Sequence, residues 1–249
     1  NVEILNTAVR KIIWKGNMEI SESLTIDSER LEVNAEELNI QVTGWEGKPV
    51  KINGDVNYAG GFLDMSGCEL EVTGNLNVTG GEINLNGGKL VCGKELLLGD
   101  NPNGLLNLNG GEGKIAGNVS HMDGTLYMNG GTLDVAGNYY MGSENTDGTI
   151  VTSDGEIKMD NASDLLKVNG NIYLYCYSGA DIQWTAGITE IGGNLYRYSS
   201  GAPGISGSHK TVFTGSQDLT ISSEGWNGNL RLANVKILNT AARKITWKG

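Results

Sequence analysis

The chain has 249 residues, a formal net charge of −11, and 38 glycines against 3 prolines. The negative charge excludes a nucleic-acid partner, because phosphate backbones are bound by basic surfaces. No apolar run approaches the roughly 20 residues that a membrane-spanning helix needs, so we expect no membrane insertion. The cysteines Cys68, Cys92 and Cys176 form neither a CxxC pair nor a cluster with histidine, so the pattern indicates neither a zinc site nor a disulfide framework.

The chain begins and ends on nearly the same sequence. Residues 1–16 read NVEILNTAVRKIIWKG and residues 234–249 read NVKILNTAARKITWKG, so 13 of 16 positions match at a separation of 233 residues. Duplication of this kind is typical of a chain built from repeats. We therefore interpret residues 1–249 as a single continuous solenoid, made of one 233-residue tandem unit and the first 16 residues of the next. The three mismatches favour covalent tandem copies over separate subunits.

A shorter repeat fills the long unit. Residues 72–93 (VTGNLNVTGGEINLNGGKLVCG) and 115–137 (IAGNVSHMDGTLYMNGGTLDVAG) share a Gly-Asn start, a strand, a glycine turn, a second strand, Asn-Gly-Gly and a third strand. The residue before the first strand serves as a marker, and the markers are Asn17, Glu37, Asp55, Asn75, Glu95, Asn118, Asn138, Asn171, Asn194 and Asp218. One further gap leads to the equivalent of Asn17 in the next unit, which predicts about ten coils per 233 residues.

Apolar residues alternate within each short unit, as in Ile83–Leu85 and Leu126–Met128. Alternation places every second side chain on one face of a strand. Three short strands and glycine-rich corners per coil predict an all-β fold, a parallel β-helix (β-solenoid) with three short strands per coil. In this fold we expect Leu76, Leu85 and Leu90 to lie beneath Val119, Met128 and Leu133 two coils on.

Asn-Gly-Gly triplets at 86–88, 109–111 and 129–131 mark one corner of the predicted coils. Gly and Asn accept the positive φ of a sharp turn, and stacked Asn side chains can hydrogen-bond along the axis. Asn-Gly is also the strongest hairpin signal, so antiparallel hairpins are the main structural alternative. A β-propeller would need repeats of about 40 residues with a blade signature. Recurrence of the whole three-strand unit favours the solenoid.

Candidate catalytic carboxylates are concentrated in the long coil after Asn138, at Asp147, Asp154, Glu156, Asp160 and Asp164. Paired carboxylates act on glycosidic bonds when they lie about 5–10 Å apart. The oxygen-rich turns 99–104 and 143–148 are candidates for weak Ca²⁺ binding, although neither has EF-hand spacing. A solvated acidic loop is the simpler interpretation, and we expect no catalytic residue, no metal site and no required cofactor.

A group of aromatic residues follows the acidic coil, at Tyr173, Tyr175, Tyr177, Trp184, Tyr196 and Tyr198. Tyr173 and Tyr196 each follow an inward-facing residue, so we expect them to point outward and stack on adjacent coils. An aromatic ladder would stabilise the sheet by about 0.2–1 kcal/mol per pair without any ligand. The alternative is a glycan-binding surface formed by Tyr173, Tyr175, Tyr196 and Trp184.

The repeated ends share a basic and aromatic set, in which Arg10, Lys11 and Trp14 recur as Arg243, Lys244 and Trp247. A solenoid ends in open strand edges and exposed core unless it is capped. Neither end of the sequence carries a polar helix or a charged plug. These residues therefore predict an end-to-end joint with adjacent copies of the same repeat, and lateral self-association is a further candidate contact.

The segments GNLNVTGGEINLNGGKLVCG (74–93) and SGSHKTVFTGSQDLTISSEGWNGNLRLANVKILN (206–239) resemble the repeats of very long surface proteins of clostridia and related bacteria. In those proteins a GNL…GG…LNGG unit is followed by a segment of the SGxHK…FxG type. The resemblance covers nearly the whole chain. It implies a β-helical rod in an extracellular or cell-wall protein. The motif contains no catalytic residues, so none is carried over.

We therefore expect a structural β-solenoid repeat of an extracellular fibre, filament or stalk, with units joined end to end, and not an enzyme. His121 and His209 have no legible partners for a metal site or a triad, so we interpret them as structural. The first alternative is a glycan-binding surface adhesin that uses the tyrosines. The second is a polysaccharide lyase or hydrolase that uses the carboxylates within 147–164.

Overall fold

A computed structural model describes the chain over residues 2–5, 11–14, 24–33, 39–41, 49–65, 67–99, 102–176, 182–199, 204–224, 230–238 and 244–248, with side chains from Val50 onward. Its strands are β1 (Val2–Leu5), β2 (Lys11–Trp14), β3 (Leu24–Val33), β4 (Asn39–Gln41), β5 (Pro49–Asp64), β6 (Glu69–Val72), β7 (Leu76–Asn84), β8 (Lys89–Cys92), β9 (Leu96–Leu98), β10 (Leu105–Asn107), β11 (Glu112–Ile115), β12 (Val119–His121), β13 (Thr125–Tyr127), β14 (Thr132–Val135), β15 (Tyr139–Met141), β16 (Ser143–Glu144), β17 (Ile150–Val151), β18 (Glu156–Met159), β19 (Leu165–Val168), β20 (Ile172–Cys176), β21 (Ile182–Trp184), β22 (Ile188–Ile191), β23 (Leu195–Ser199), β24 (Lys210–Phe213), β25 (Leu219–Glu224), β26 (Asn234–Ile237) and β27 (Ile245–Lys248). Within the described residues, no helix is long and apolar enough to cross a membrane.

The strands pair in parallel and stack into three columns. The first column contains β1, β6, β8, β11, β14, β19, β22, β24 and β26, with the first parts of β3 and β5. The second contains β2, β9, β12, β15, β20, β23, β25 and β27, with parts of β3, β5 and β7. The third runs from β4 through parts of β5 and β7 to β10, β13, β18 and β21. The predicted all-β parallel β-solenoid is confirmed; among the described strands, antiparallel pairing is confined to β16 and β17.

Successive strands of the first column advance by one coil. The paired inward-facing residues run Val50, Leu70, Leu90, Gly113, Leu133, Leu166, Thr189, Thr211 and Val235. These pairs trace about eight coils. Toward the beginning of the chain, β3 pairs with β5 and β1 with β3, so β1 and its sequence repeat β26 belong to the same column. Ten coils per 233-residue unit, with three strands in every coil, stays a prediction.

The register of the early coils differs from the predicted markers. Arg30, rather than Glu37, pairs with Asp55, and Lys11, rather than Asn17, pairs with Arg30. Glu37 and Asn17 themselves lie outside the described residues. The coil marked by Glu37 lacks the Gly-Asn start, whereas Gly16-Asn17 has it and still does not mark the strand that pairs with β3. The pairing instead aligns the alternating apolar residues of β2, β3 and β5, because a misaligned strand would turn its apolar face outward.

The register of the last coils also differs from the prediction. Leu195 pairs with Ile221, and the Thr220 N–H donates to Asn194 Oδ1 at 2.7 Å. Thr220, and not Asp218, therefore follows the marker Asn194. A shift of two residues keeps the same face of a strand inward, so alternation alone does not distinguish the two registers.

Inward-facing rows form the core. In the second column the fully buried row consists of Leu76, Leu96, Val119, Tyr139, Ile172 and Leu195. Leu76 lies two coils from Val119, and Leu90 two coils from Leu133, as predicted. Burial of a leucine-sized side chain contributes about 1.5–3 kcal/mol. The core is therefore a set of stacked apolar rows along the axis.

The Asn-Gly-Gly corners have the predicted geometry. Asn86, Asn109 and Asn129 have φ values of 45°, 40° and 42°. Asn129 Nδ2 donates to Asn109 Oδ1 at 3.0 Å, Asn109 Nδ2 donates to Asn86 Oδ1, and Asn86 Nδ2 donates to Asp64 Oδ1 at 2.6 Å. The side chains thus form a hydrogen-bonded ladder that holds three successive corners in register.

The two glycines of a corner are predicted to respond differently to the same substitution. A Cβ on Gly111 would lie 2.6 Å from Gly88 O and 2.8 Å from Leu108 O, whereas a Cβ on Gly110, at φ +75°, meets no atom within 4 Å. We expect Gly111→Asn to destabilise the fold by about 1–3 kcal/mol through overpacking of the coils. Gly110→Asn should cost less than about 1 kcal/mol, because Asn tolerates positive φ. Urea unfolding measures both changes, and equal losses would contradict this account of the corner.

Candidate functional site

The longest coil carries an excursion beside the second column. β16 and β17 form an antiparallel hairpin in which Ser143 pairs with Val151. Its turn is closed by the Asn145 N–H, which donates to Thr149 O at 2.8 Å, and by Asp147 Oδ1, which accepts the Thr149 N–H at 2.9 Å. Residue 153 then forms a parallel bridge with residue 176 of β20. The hairpin is therefore held at the edge of the second column.

Tyrosines stack on the outer face of the second column next to this hairpin. The Tyr140 and Tyr173 rings lie 4.8 Å apart at an interplanar angle of 9°, and the Tyr173 and Tyr196 rings lie 5.0 Å apart at 15°. Asn138 Nδ2 donates to the Tyr140 hydroxyl at 2.8 Å, and Asn171 Nδ2 to the Tyr173 hydroxyl at 3.0 Å. The predicted outward stacking of Tyr173 on Tyr196 is confirmed.

The other tyrosines of the predicted group take different positions. Tyr175 is buried, and its ring contacts Tyr198 edge-on at 6.5 Å and 88°. Tyr177 lies outside the described residues. Burial, with a smaller effect of the nearby Glu144, raises the pKa of Tyr175 to about 12. The Tyr175 phenol is consequently a protonated hydrogen-bond donor at neutral pH.

Trp184 does not belong to this surface, so its assignment to a glycan-binding surface is wrong. Its side chain is fully buried in the third column, and its ring lies 5.3 Å from that of His209. Ile182 of the same strand is also buried. Period-two alternation points residues 182 and 184 to the same inward face, so the strand pattern itself contained the signal.

A groove of about 790 Å³ lies between the hairpin and the tyrosine stack. The hairpin side contributes Glu144 and Thr149, and the second column contributes Tyr173, Tyr196, Ser222, Glu224 and Lys248. Ligand sites in proteins commonly have volumes of about 300–1,000 Å³ and combine aromatic surface with a few polar groups. The groove has the volume of a ligand site, with aromatic surface in a lining that is more polar than apolar.

The acidic residues of the long coil serve separate local contacts. Asp164 is buried and accepts the Gly130 N–H at 2.5 Å and the Asn161 N–H at 3.0 Å; burial raises its pKa. Asp160 accepts the Tyr127 hydroxyl at 3.2 Å. Glu156 forms an ion pair with its neighbour two residues on at 2.9 Å. Asp147 caps the hairpin turn, and Asp154 is exposed.

Neither candidate calcium turn gains support from the geometry. Two residues of the turn 99–104, at 100 and 101, lie outside the described residues. The turn 143–148 is the hairpin turn closed by its own hydrogen bonds. Over the described ranges, no group of three or more His, Cys, Asp or Glu side chains is placed to hold a metal ion.

Both histidines are buried in the core. His121 occupies the inward-facing row between Leu98 and Met141. The Tyr139 hydroxyl lies 2.8 Å from His121 Nδ1, and the Gly124 carbonyl oxygen lies 3.2 Å from Nε2. The neutral tautomer with the proton on Nε2 satisfies both contacts, with Tyr139 donating to Nδ1. Burial lowers the pKa of His121 to about 4, against the smaller opposing effects of Gly124 and Asp123.

A buried arginine is a feature that the sequence interpretation missed. Arg197 is 1% exposed in the row that contains Leu174, and its Nη1 donates to Ser223 Oγ at 3.1 Å. Burial lowers the pKa of its guanidinium. Because Arg197 follows the inward-facing Leu195 by two residues, alternation predicts its inward position.

The last described strands leave core rows uncovered. Thr211, Leu219 and Ile221 are buried, yet their partners one coil later are Val235, Ile245 and Trp247, which are 46%, 47% and 58% exposed. Lys244 is exposed, and its N–H donates to Asp218 Oδ1 at 2.9 Å. Of the other predicted joint residues, Lys11 and Trp14 lie in β2, whereas Arg10 and Arg243 lie outside the described residues.

Comparison of the chain with protein-family models, with curated proteins and with solved structures gave no match.

Proposed function

We propose that the chain is a structural β-solenoid repeat of an extracellular fibre, filament or stalk, with units joined end to end. The observation that carries this proposal is the set of uncovered core rows at β26 and β27. Val235, Ile245 and Trp247 are about half exposed although they continue buried rows. Complete burial of an apolar side chain contributes about 1.5–3 kcal/mol, and roughly half of each of these side chains is still exposed, so a further coil on this end would contribute about 1 kcal/mol per residue.

The sequence repeat indicates which strand would cover these rows. Val235 and Ile245 are the equivalents, one unit later, of Val2 in β1 and Ile12 in β2. Both β1 and β2 pair in parallel with β3. The partner that fits the uncovered end is therefore the β3 segment of an adjacent copy, so the partner we propose is the next unit of the same repeat.

The mechanical role follows from the direction of the hydrogen bonds. In a parallel solenoid the ladders between coils run along the axis, as in cross-β fibres, so a pull along the axis loads many backbone hydrogen bonds at once. The extracellular location rests on the resemblance to clostridial surface repeats. Glycan binding has a separate observation in its favour, the groove beside the tyrosine stack, whereas the described carboxylates offer nothing that favours the lyase or hydrolase alternative.

A two-unit chain, in which residues 17–249 follow Gly249, tests the proposal. We expect one continuous rod that is twice the length of a single unit. With the predicted ten coils, each unit adds about 48 Å at the strand spacing of about 4.8 Å. Small-angle X-ray scattering and negative-stain electron microscopy measure the length. Two bodies that move independently would contradict the proposal.

Substitutions at the joint provide the control. Val235→Asp combined with Ile245→Asp would bury two unpaired carboxylates under the next coil, so we expect the two-unit rod to separate into two bodies. Both residues are half exposed in the single unit, where the same change should be tolerated. Lys236→Asp is the matched substitution, because Lys236 is exposed and points away from the core between inward-facing neighbours. It should leave the rod continuous.

A further inference from the structure

The row of stacked tyrosines ends at Tyr196. Tyr173 lies between Tyr140 and Tyr196 and contacts one ring face of each. The next residue of the row is Ser222, which pairs with Tyr196 in the adjacent coil. A hydroxymethyl group is too small to cover a phenol ring, so the second face of Tyr196 borders the groove that Tyr196 and Ser222 both line.

Hydrogen-bonding groups surround this ring face. Besides the tyrosine hydroxyls and the Arg197 guanidinium, the groove residues that can donate or accept are Glu144, Thr149, Thr220, Ser222, Glu224 and Lys248. They bring carboxylate, hydroxyl and ammonium groups into the groove that Tyr196 lines. A ligand that fits has one apolar face to lie against the ring and a rim of hydroxyl groups to donate and accept hydrogen bonds. A pyranose ring has both properties.

The charges of the groove limit the ligand further. Glu144 and Glu224 are offset by Arg197 and Lys248 in the lining, so the groove itself favours neither an anionic nor a cationic ligand, and the net charge of −11 opposes an anionic one. The polar rim would lose its hydration without compensation under a purely apolar ligand. We propose that this groove binds a neutral oligosaccharide, with one sugar ring stacked on the free face of Tyr196 and its hydroxyls bonded to Ser222 and Glu224. The site does not depend on end-to-end joining of units.

Titration of the 249-residue chain with cellohexaose and hexa-N-acetylchitohexaose, followed by isothermal calorimetry, tests the site. We expect saturable binding of at least one of these neutral sugars, and a loss of affinity of about tenfold or more in Tyr196→Ala, which corresponds to about 1.4 kcal/mol. Tyr140→Ala is the matched control. It removes a ring from the other end of the same stack and does not line the groove, so its affinity should equal that of the wild type.

A second variant tests the same face without removing a ring. Ser222→Tyr would continue the stack and cover Tyr196, so we expect binding to disappear while the β-sheet circular dichroism is unchanged. Three results would overturn the proposal: no saturable binding of either hexasaccharide to the wild type at millimolar concentration, full affinity in Tyr196→Ala, or equal losses in Tyr196→Ala and Tyr140→Ala. None of these results bears on the continuity of the two-unit rod, so the two proposals fail independently.

Discussion

Leu96→Ala is expected to destabilise the solenoid by about 2–5 kcal/mol, whereas Leu97→Ala should cost less than about 1 kcal/mol. Leu96 is fully buried, and its partners Leu76 and Val119 lie in the coils on either side. Leu97 is half-buried in the outward-facing row of the same strand. The same substitution at adjacent positions therefore compares the cost of a cavity in the core with the cost of losing side-chain atoms at the surface. Urea unfolding followed by circular dichroism measures the difference.

The order of the two losses tests the strand register itself. A slip of one residue exchanges the inward and outward faces of a strand, so a larger loss for Leu97→Ala would contradict the register of β9. Solenoids can unfold in parts, since each coil contacts only its neighbours. Leu96→Ala should therefore reduce the protection of backbone amides against hydrogen exchange mainly in β7, β9 and β12, the strands that border the cavity.

Acidification is expected to weaken the fold through His121, by about 3 kcal/mol for a pKa moved from 6.5 to about 4. The pKa is lower in the folded than in the unfolded chain, so below pH 6.5 the unfolded state binds the proton first. The stabilisation that depends on neutral, buried His121 is complete above pH 6.5 and is lost as the pH falls from 6.5 to about 4. Below pH 4, His121 causes no further change in the free energy of unfolding. His209, which donates from Nδ1 to Ala186 O at 2.8 Å and whose pKa burial also lowers, acts in the same direction.

A pair of variants separates the effect of His121 on the pH dependence of unfolding from the effect of carboxylates, which titrate in a neighbouring pH range. Tyr139→Phe with His121→Leu removes both partners of a buried hydrogen bond and places Leu where the next coil below has Leu98. Tyr139→Phe alone keeps the histidine. We expect the free energy of unfolding of the single variant to fall more steeply between pH 6.5 and 4 than that of the double variant. Parallel curves for the two variants would show that His121 does not couple folding to protons.

Several features of the site could be predicted because they depend on local patterns. The positive φ of Asn86, Asn109 and Asn129 follows from the Asn-Gly-Gly triplets, and their side-chain ladder follows once the coils stack. The stacking of Tyr173 on Tyr196 follows from alternation together with the 23-residue step between them. In each case the spacing of the repeat and the two-residue period of a strand are sufficient.

The buried positions of Trp184 and Arg197 were also within reach of alternation, but residue type argued against them. Aromatic residues near tyrosines suggested a surface, and arginine is rarely buried unless it is paired. The strand pattern outweighs the residue type here, since Ile182 and Leu195 hold their strands with the inward face toward the core. Side-chain preference is the weaker guide wherever a strand has one face buried.

The amino-acid sequence by itself determined the architecture of this protein, because the alternation of apolar residues, the corner glycines and the repeat length are all local signals of stacked parallel coils. Only the tertiary structure decided how each coil aligns with the next. Leu195 could have paired with Leu219 or Ile221 and kept the same face inward, and the choice of Ile221 is what brings Ser222 beside Tyr196. The groove and the uncovered end are each built from residues of more than one coil. Their geometry therefore depends on long-range strand pairing that no short segment of sequence specifies.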